Sequence, residues 1–235
     1  LIVDQQAVKT VFLSENVGNC KAFNLALAQC SGKYVIDLAA DDVLFPERIQ
    51  RGVDTLARAG DAYGLHFSDA IWMNEEGKQQ YLHSERFPHH TVPTGDVYAV
   101  LIQKYFICPT SMMFTRELLT TTAGYDATLF YEDFDIQIRG SRYFKFCYSP
   151  EVLVKKRIVA GSLSQRQFIR RDRQRYSTYR VCEKILALNK NSREQQALHT
   201  RIAYQIRQCL TVADLGLAWK YLLLYKKSKQ NRYEK

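Results

Sequence analysis

"YVIDLAADDVLFPERI", residues 34–49, carries an apolar run into two adjacent carboxylates and then into a helix opened by proline. "YVIDL" reads as a strand, because β-branched and aromatic residues suit a pleated, half-buried surface. Pro46 sits near the first position of the helix "FPERIQRGVDTLARAG", where its missing N–H is no loss, and Gly60 stands just past the end. Asp41 and Asp42 therefore fall just beyond the carboxyl end of a strand, where open α/β sheets receive ligands. Hard carboxylate oxygens in that position suit Mg2+ or Mn2+ bridging to a diphosphate. On these residues alone a second reading weighs the same: one Asp caps the following helix and its neighbour is solvated.

The pattern extends on both sides. "LIVDQQAVKTVFLS" reads as the end of one element and a short strand around Val11–Leu13. "ENVGNCKAFNLALAQCSGKY" reads as a turn at Asn16–Asn19 and an apolar helix to about Cys30, stopped by Ser31-Gly32. Downstream come the strand "AYGLHFSDAIWM" and the turn and returning strand "NEEGKQQYLH". A loop over 84–93, a short helix "TGDVYAVLIQ" and a strand "SMMFT" follow. "AGYDATLFYEDFDIQIRGSRYFKFCYS" reads as loop, helix and strand, and "EVLVKKRIV" as a strand that closes the sheet. Strands alternating with helices at this spacing predict a mostly parallel α/β sheet flanked by helices.

Charge divides the chain. Residues 1–150 hold 13 Lys and Arg against 18 Asp and Glu, whereas residues 151–235 hold 20 against 6. From about Ser164 three helical patterns follow, the last behind Asp214 as a cap, so a division is expected into 1–163 and a basic helical extension, 164–235. Such a tail favours phosphate-rich partners, either nucleic acid or an anionic membrane surface. The six cysteines form no CxxC pair and no Cys/His cluster, which excludes a zinc-site pattern and reads as reduced, core-filling thiols of a cytosolic protein. The opening residues carry no signal-peptide pattern, and no apolar run approaches the roughly 20 residues that cross a bilayer.

A second acidic cluster lies in "FYEDFDIQIR", with Glu132, Asp133 and Asp135 at a helix start. Acidic residues in a first turn favour the helix dipole. The Phe-Tyr pair before them and the ring-rich strand after them also suit a half-buried carboxylate of raised proton affinity, fit to act as a general base.

Taken together, "NVGNCKAFNLALAQCSGKYVIDLAADDVLFPERI", "HFSDAIWMNEEGK", "GYDATLFYEDFDIQIR" and "KRIVAGSLS" resemble, in order and spacing, the motifs of a family 2 glycosyltransferase with a GT-A fold. The resemblance covers roughly residues 11–165. It implies an inverting transfer of a sugar, of hexosyl type, from a nucleotide-sugar donor to a hydroxyl of a glycan or lipid-linked acceptor. Asp41 and Asp42 would hold the metal and the donor diphosphate. Asn16, Gly18 and Asn24 would lie along the nucleotide side, with Arg157 on the donor as well. Asp133 would be the base, with Glu132 beside it. The implied metal is Mg2+ or Mn2+.

Three departures stand out. Ala39 occupies the position of the usual first carboxylate of Asp-x-Asp, and Val159 that of a His in the closing loop, so two ligands are missing. Arg157 or Lys156 would then supply charge to the diphosphate, or the protein would be a catalytically weak or silent scaffold. The family's first strand and helix are expected before Leu1, which makes the full protein longer by several tens of residues, the size of a βαβ unit.

The tail adds "DLGLAWKYLLLYKKSK", which sets Leu215, Trp219, Leu222, Leu223 and Tyr225 near Lys220, Lys226 and Lys227. That composition suits a bilayer interface, and equally a helix packed on the catalytic body. With Arg170, Arg171, Arg173 and Arg175 upstream, the tail points to the anionic inner face of a membrane. A nucleic-acid-binding protein is the remaining class. No recognisable module supports it, and no specific nucleic acid is expected.

Overall fold

The computed structural model describes residues 8–87, 91–159 and 169–230. At its centre two long strands, β3 (Tyr63–Met73) and β6 (Lys145–Arg157), run parallel from Tyr63 opposite Lys145 to Met73 opposite Arg157. Residues 64–70 of β3 are buried without alternation, as expected of a strand covered on both faces. The free edge of β3 pairs with β5 (Met113–Thr115) near one end and with β4 (Gln79–Leu82) near the other. β1 (Tyr34–Val35) lies outside β5, and β2 (Val43–Leu44) pairs with β6.

The α/β class and the flanking helices are as expected, but the mostly parallel sheet is not: among the described residues only β3 and β6 pair in parallel. Physically, β4 returns from β3 across the turn Asn74–Lys78, where the Gly77 N–H donates to the Asn74 carbonyl at 3.0 Å, and a hairpin is antiparallel by construction. The remaining pieces are strands of two or three residues.

Local departures from the sequence reading have equally local causes. Val11–Leu13 is exposed chain without a strand partner, Phe12 being 91% exposed. Only Tyr34 and Val35 of "YVIDL" pair, which frees Ile36–Leu38 to run into the acidic turn. "KFCYS" and "EVLVKKR" are one strand, interrupted by a bulge at Pro150 and Glu151, where the register opposite β3 jumps from Ser149 to Val152. Proline lacks the N–H that the ladder needs, so the chain bulges there rather than ending. A helix not read from the sequence, α4 (Arg116–Thr121), is capped by the Thr115 hydroxyl, which accepts the Leu118 N–H at 3.2 Å.

The other helices match the patterns: α1 (Asn19–Gln29), α2 (Arg48–Ala59), α3 (Tyr98–Gln103) and α5 (Glu132–Ser141). In the basic tail they are α6 (Arg173–Leu188), α7 (Ser192–Thr211) and α8 (Leu215–Gln230), capped by Asp172, Asn191 and Asp214. The division placed near residue 164 lies outside the described residues. Val181, Ile185, Leu198, Ile202 and Tyr221 of the tail join Leu65, Phe67, Phe134 and Phe146 in one apolar cluster. Arg201 of α7 donates to the Ile102 carbonyl at 2.6 Å and to that of Leu101 at 3.3 Å, satisfying the end of α3.

Asp135, wholly buried on α5, makes ion pairs with Arg139 and with Lys184 of α6, each at 2.6 Å, and Lys184 also pairs with Asp126 at 2.6 Å. Removing the shared carboxylate leaves two half-buried cations facing each other. Asp135→Ala is therefore expected to cost about 3 kcal/mol, the low end for a broken buried pair because both cations keep other partners. Urea unfolding monitored by circular dichroism measures it, and a change below ~1 kcal/mol would contradict this account.

Candidate active site

Three stretches far apart in sequence meet around a cavity of about 210 Å³. Asp37, Leu38, Ala39 and Asp42 form one wall, Glu132 and Asp133 at the start of α5 a second, and Lys156 of β6 with Thr110 a third. Asn19, Met112 and Tyr125 close it. Of the residues singled out in the sequence, Ala39, Asp42, Glu132, Asp133 and Lys156 line this cavity. Asn16, Gly18, Asn24, Asp41 and Arg157 lie around it.

The α1 side is built from backbone geometry. Gly18 has φ +83°, a conformation that disfavours a side chain, and its N–H donates to the Asn16 side-chain oxygen at 3.0 Å. That turn starts α1 at Asn19, whose amide donates to Glu132 Oε1 at 2.5 Å. One turn on, Asn24 grips the Tyr125 backbone, donating to its carbonyl at 2.8 Å and accepting its N–H at 2.9 Å. Phe23 stacks on the Tyr125 ring at 4.0 Å, and the Tyr125 hydroxyl donates to Asp37 Oδ2 at 3.0 Å.

On the opposite wall the adjacent acidic residues differ sharply. Asp42 is buried, and both of its oxygens are engaged. Oδ1 accepts the Arg157 backbone N–H at 2.8 Å, and Oδ2 accepts the Thr110 hydroxyl at 2.6 Å. The Lys156 ammonium stands 3.6 Å from Oδ2 and donates to Thr110 Oγ1 at 3.3 Å. Asp41 is exposed. The Arg157 guanidinium points along the rim, donating to the carbonyls of Asp41, Asn74 and Glu75 at 3.1, 3.2 and 2.6 Å.

Electrostatics follow from crowding four carboxylates around one ammonium. Burial pushes Asp133 well above the ordinary carboxylate range, and the charges of Glu132 and Asp37 push the same way. Burial also raises Glu132 and Asp37. For Lys156 burial works against the charge, but the Asp42 carboxylate and its neighbours outweigh it and the ammonium is held protonated. His66 is fully buried and held neutral down to about 3 by burial and the nearby Arg48.

Asp42 does not fit as a ligand for a divalent cation held by the protein. Asp42 has no oxygen lacking a partner, an ammonium already faces it, and position 39 offers only a methyl group. Among the described residues no group of three or more His, Cys, Asp or Glu could hold a metal ion.

Asp37, Asn19, Thr110 and Tyr125 complete the site but were not identified from the sequence. Asp37 had a signal, since a carboxylate interrupts the apolar "YVIDL". Thr110 had none, because a 3-10 turn (Pro109–Ser111) delivers it from a stretch with no motif. A larger cavity, about 470 Å³, lies between Thr128–Phe130 and the tail helices and carries Arg171, Arg173, Arg180 and Lys220. It lacks the clustered, shifted carboxylates that chemistry needs.

Residues 2–121 match glycosyl transferase family 2, and the chain belongs to that family. Among curated proteins, the amylovoran biosynthesis glycosyltransferase AmsE of Erwinia amylovora is 23% identical over 156 residues, spanning 66% of this chain and 56% of that protein. The chain thus covers little more than half the length of this relative. Among solved structures, S. aureus TarS 1-349 in complex with UDP-GlcNAc superposes with TM-score 0.59 at 12% identity, over 95% of this chain and 75% of that one. The mannosyltransferase PcManGT from Pyrobaculum calidifontis, in complex with GDP-Man and Mn2+, gives 0.53 at 14% identity, over 93% and 56%. The fold is GT-A.

A carboxyl with a raised proton affinity binds its proton more tightly folded than unfolded, so ionising it opposes folding. That opposition is absent below the unfolded value and grows as pH rises through the elevated folded one. Asp133→Asn is therefore expected to raise the melting temperature at pH 8 and to raise it clearly less at pH 4. Differential scanning calorimetry at both pH values tests it, and an equal or negative change at pH 8 would refute the assignment.

Proposed function

We propose that this chain moves a hexosyl group, with inversion, from a nucleotide-sugar donor to an acceptor hydroxyl. One observation carries the reading: Glu132 and Asp133 share a cavity with Asp42, Thr110 and Lys156, so a base and a diphosphate-binding group lie in the same space. The acceptor oxygen attacks the anomeric carbon while its bond to the diphosphate oxygen breaks. The bonding pair leaves with the phosphate, and the acceptor proton passes to the Asp133 carboxylate. A base whose pKa is drawn up toward the working pH accepts that proton more readily. Glu132, held by Asn19, fixes the start of the helix beside it.

Donor-side roles follow from position. Asp42 meets the cavity directly, whereas Asp41 and Arg157 hold its rim. Asn16, Gly18 and Asn24 set the α1 end against which the nucleotide lies. TarS and PcManGT are solved with UDP-GlcNAc and GDP-Man, which supports a nucleotide-sugar donor here. The name of AmsE supports work in polysaccharide biosynthesis.

For the acceptor we favour a glycan or lipid-linked chain presented at the inner face of a membrane, with residues from about 164 onward acting as a docking extension. No helix among the described residues is long and apolar enough to cross a bilayer. The outer face of α8 leaves Leu215, Trp219 and Leu223 67%, 58% and 48% exposed, beside Lys220, Lys226 and Lys227. An apolar stripe edged by lysine suits peripheral binding to anionic lipid. The cationic cavity starts at Thr128, shortly before Glu132, and suits the phosphate of such an acceptor.

Turnover across a panel of nucleotide sugars is the direct test. Asp133→Asn is expected to lower kcat at least about 100-fold, the lower limit for loss of a general base. The acid limb of the wild-type pH profile should lie above the ordinary carboxylate range. Absence of turnover with every donor would leave the scaffold reading. Independently, cosedimentation with phosphatidylserine-containing vesicles should occur and fall severalfold in Trp219→Ala, with no loss of folded signal. Equal binding by wild type and variant would remove α8 from the membrane contact.

A further inference from the structure

We infer that the Lys156 ammonium takes the place of a divalent cation at the donor diphosphate of this chain, so that transfer proceeds without a metal. The inference rests on the glycosyltransferase reading above and concerns the same cavity.

Position 39 has lost its carboxylate, and the carboxylate that remains buried, Asp42, is saturated by the Arg157 N–H and the Thr110 hydroxyl. The group that completes this arrangement is already a cation. Lys156 stands on β6 opposite Trp72 of β3, on the only parallel pairing among the described residues, and its ammonium lies 5.8 Å from the Trp72 ring. It is thus carried by a stiff element rather than by a loop. An ammonium has three N–H donors, and among the described residues Lys156 donates one hydrogen bond, to Thr110 Oγ1 at 3.3 Å. Asp42 lies at 3.6 Å, an ion pair rather than a second short bond. Donor capacity therefore remains on the side where Lys156 lines the cavity.

The neighbouring cation does not compete for this role. The Arg157 guanidinium is committed to three carbonyl oxygens on the rim. Strand alternation sends the two side chains to opposite faces, and only Lys156 reaches the cavity. When the bond to the anomeric carbon breaks, negative charge develops on the departing phosphate oxygen, and an ammonium positioned in advance stabilises it without giving up its proton. Asp42 then positions the ammonium instead of serving as a metal ligand. Atoms balance with no further reactant: the acceptor proton goes to Asp133, the electron pair goes to the phosphate, and Lys156 stays charged throughout.

Calorimetric titration of the full chain with UDP and with GDP, in EDTA and then in Mn2+, tests this with a readout independent of turnover. Binding of one nucleoside diphosphate in EDTA, tightened less than about threefold by Mn2+, is expected. Lys156→Met should weaken it about tenfold or more, the loss of a charge-assisted hydrogen bond, and Lys156→Arg should recover part of it. Binding that needs Mn2+, or an unchanged Kd in Lys156→Met, would overturn the role of Lys156 while leaving the glycosyltransferase standing. No binding in any condition, together with no turnover of any donor, would overturn both. Should Lys156→Met fail to fold, the wild-type comparison of EDTA with Mn2+ decides alone.

Discussion

Two strands can lie side by side in parallel only if the chain between them travels back the full length of the pair. β3 ends at Met73 and β6 begins at Lys145, so residues 74–144 are the return path, and several of the site's polar side chains ride on it. Thr110, Tyr125, Glu132 and Asp133 are all delivered by that excursion, to a point where Lys156 emerges from the second strand. The ladder is thus a ruler as well as a core. It sets where the crossover must come back, and hence which side chains face the acidic turn at Asp41 and Asp42.

Within that frame, identical functional groups diverge according to what lies beside them. Asp133 and Asp135 are two residues apart on one helix, and each is a carboxylate removed from bulk water. Asp135 meets Arg139 and Lys184 and becomes a structural pin. Asp133 meets Glu132 and Asp37 with only a distant ammonium to oppose them, and its proton affinity climbs. Asp41 and Asp42 divide in the same manner, one solvated and the other tied on both oxygens. Helix periodicity separates the first pair, since positions two apart face different sides.

Much of this was legible in the sequence, and the rest was not for specific reasons. Helix ends announced themselves through Gly60 and Asp214, and the long apolar run of β3 through its composition. The acidic motifs that meet in the cavity stood out by type and order. The short edge strand β2 escaped because two residues carry no period, and the sense of pairing escaped because it depends on partners rather than on local pattern. Ser149 to Val152 shows the limit well: Pro150 suggested a break, yet the ladder resumes beyond it. Asn24 read as a ligand-side residue and is found holding the Tyr125 backbone, a role that needs a fold to be visible.

The link from Asp135 to Lys184 has an evolutionary corollary. Because it joins the helix that starts with Glu132 and Asp133 to the first helix of the tail, these two helices cannot drift independently. A lineage that exchanges the tail for another docking element must also refit position 135, or find a new cation for it. Tail shuffling among relatives should therefore leave a trace inside the catalytic helix itself, two residues away from Asp133.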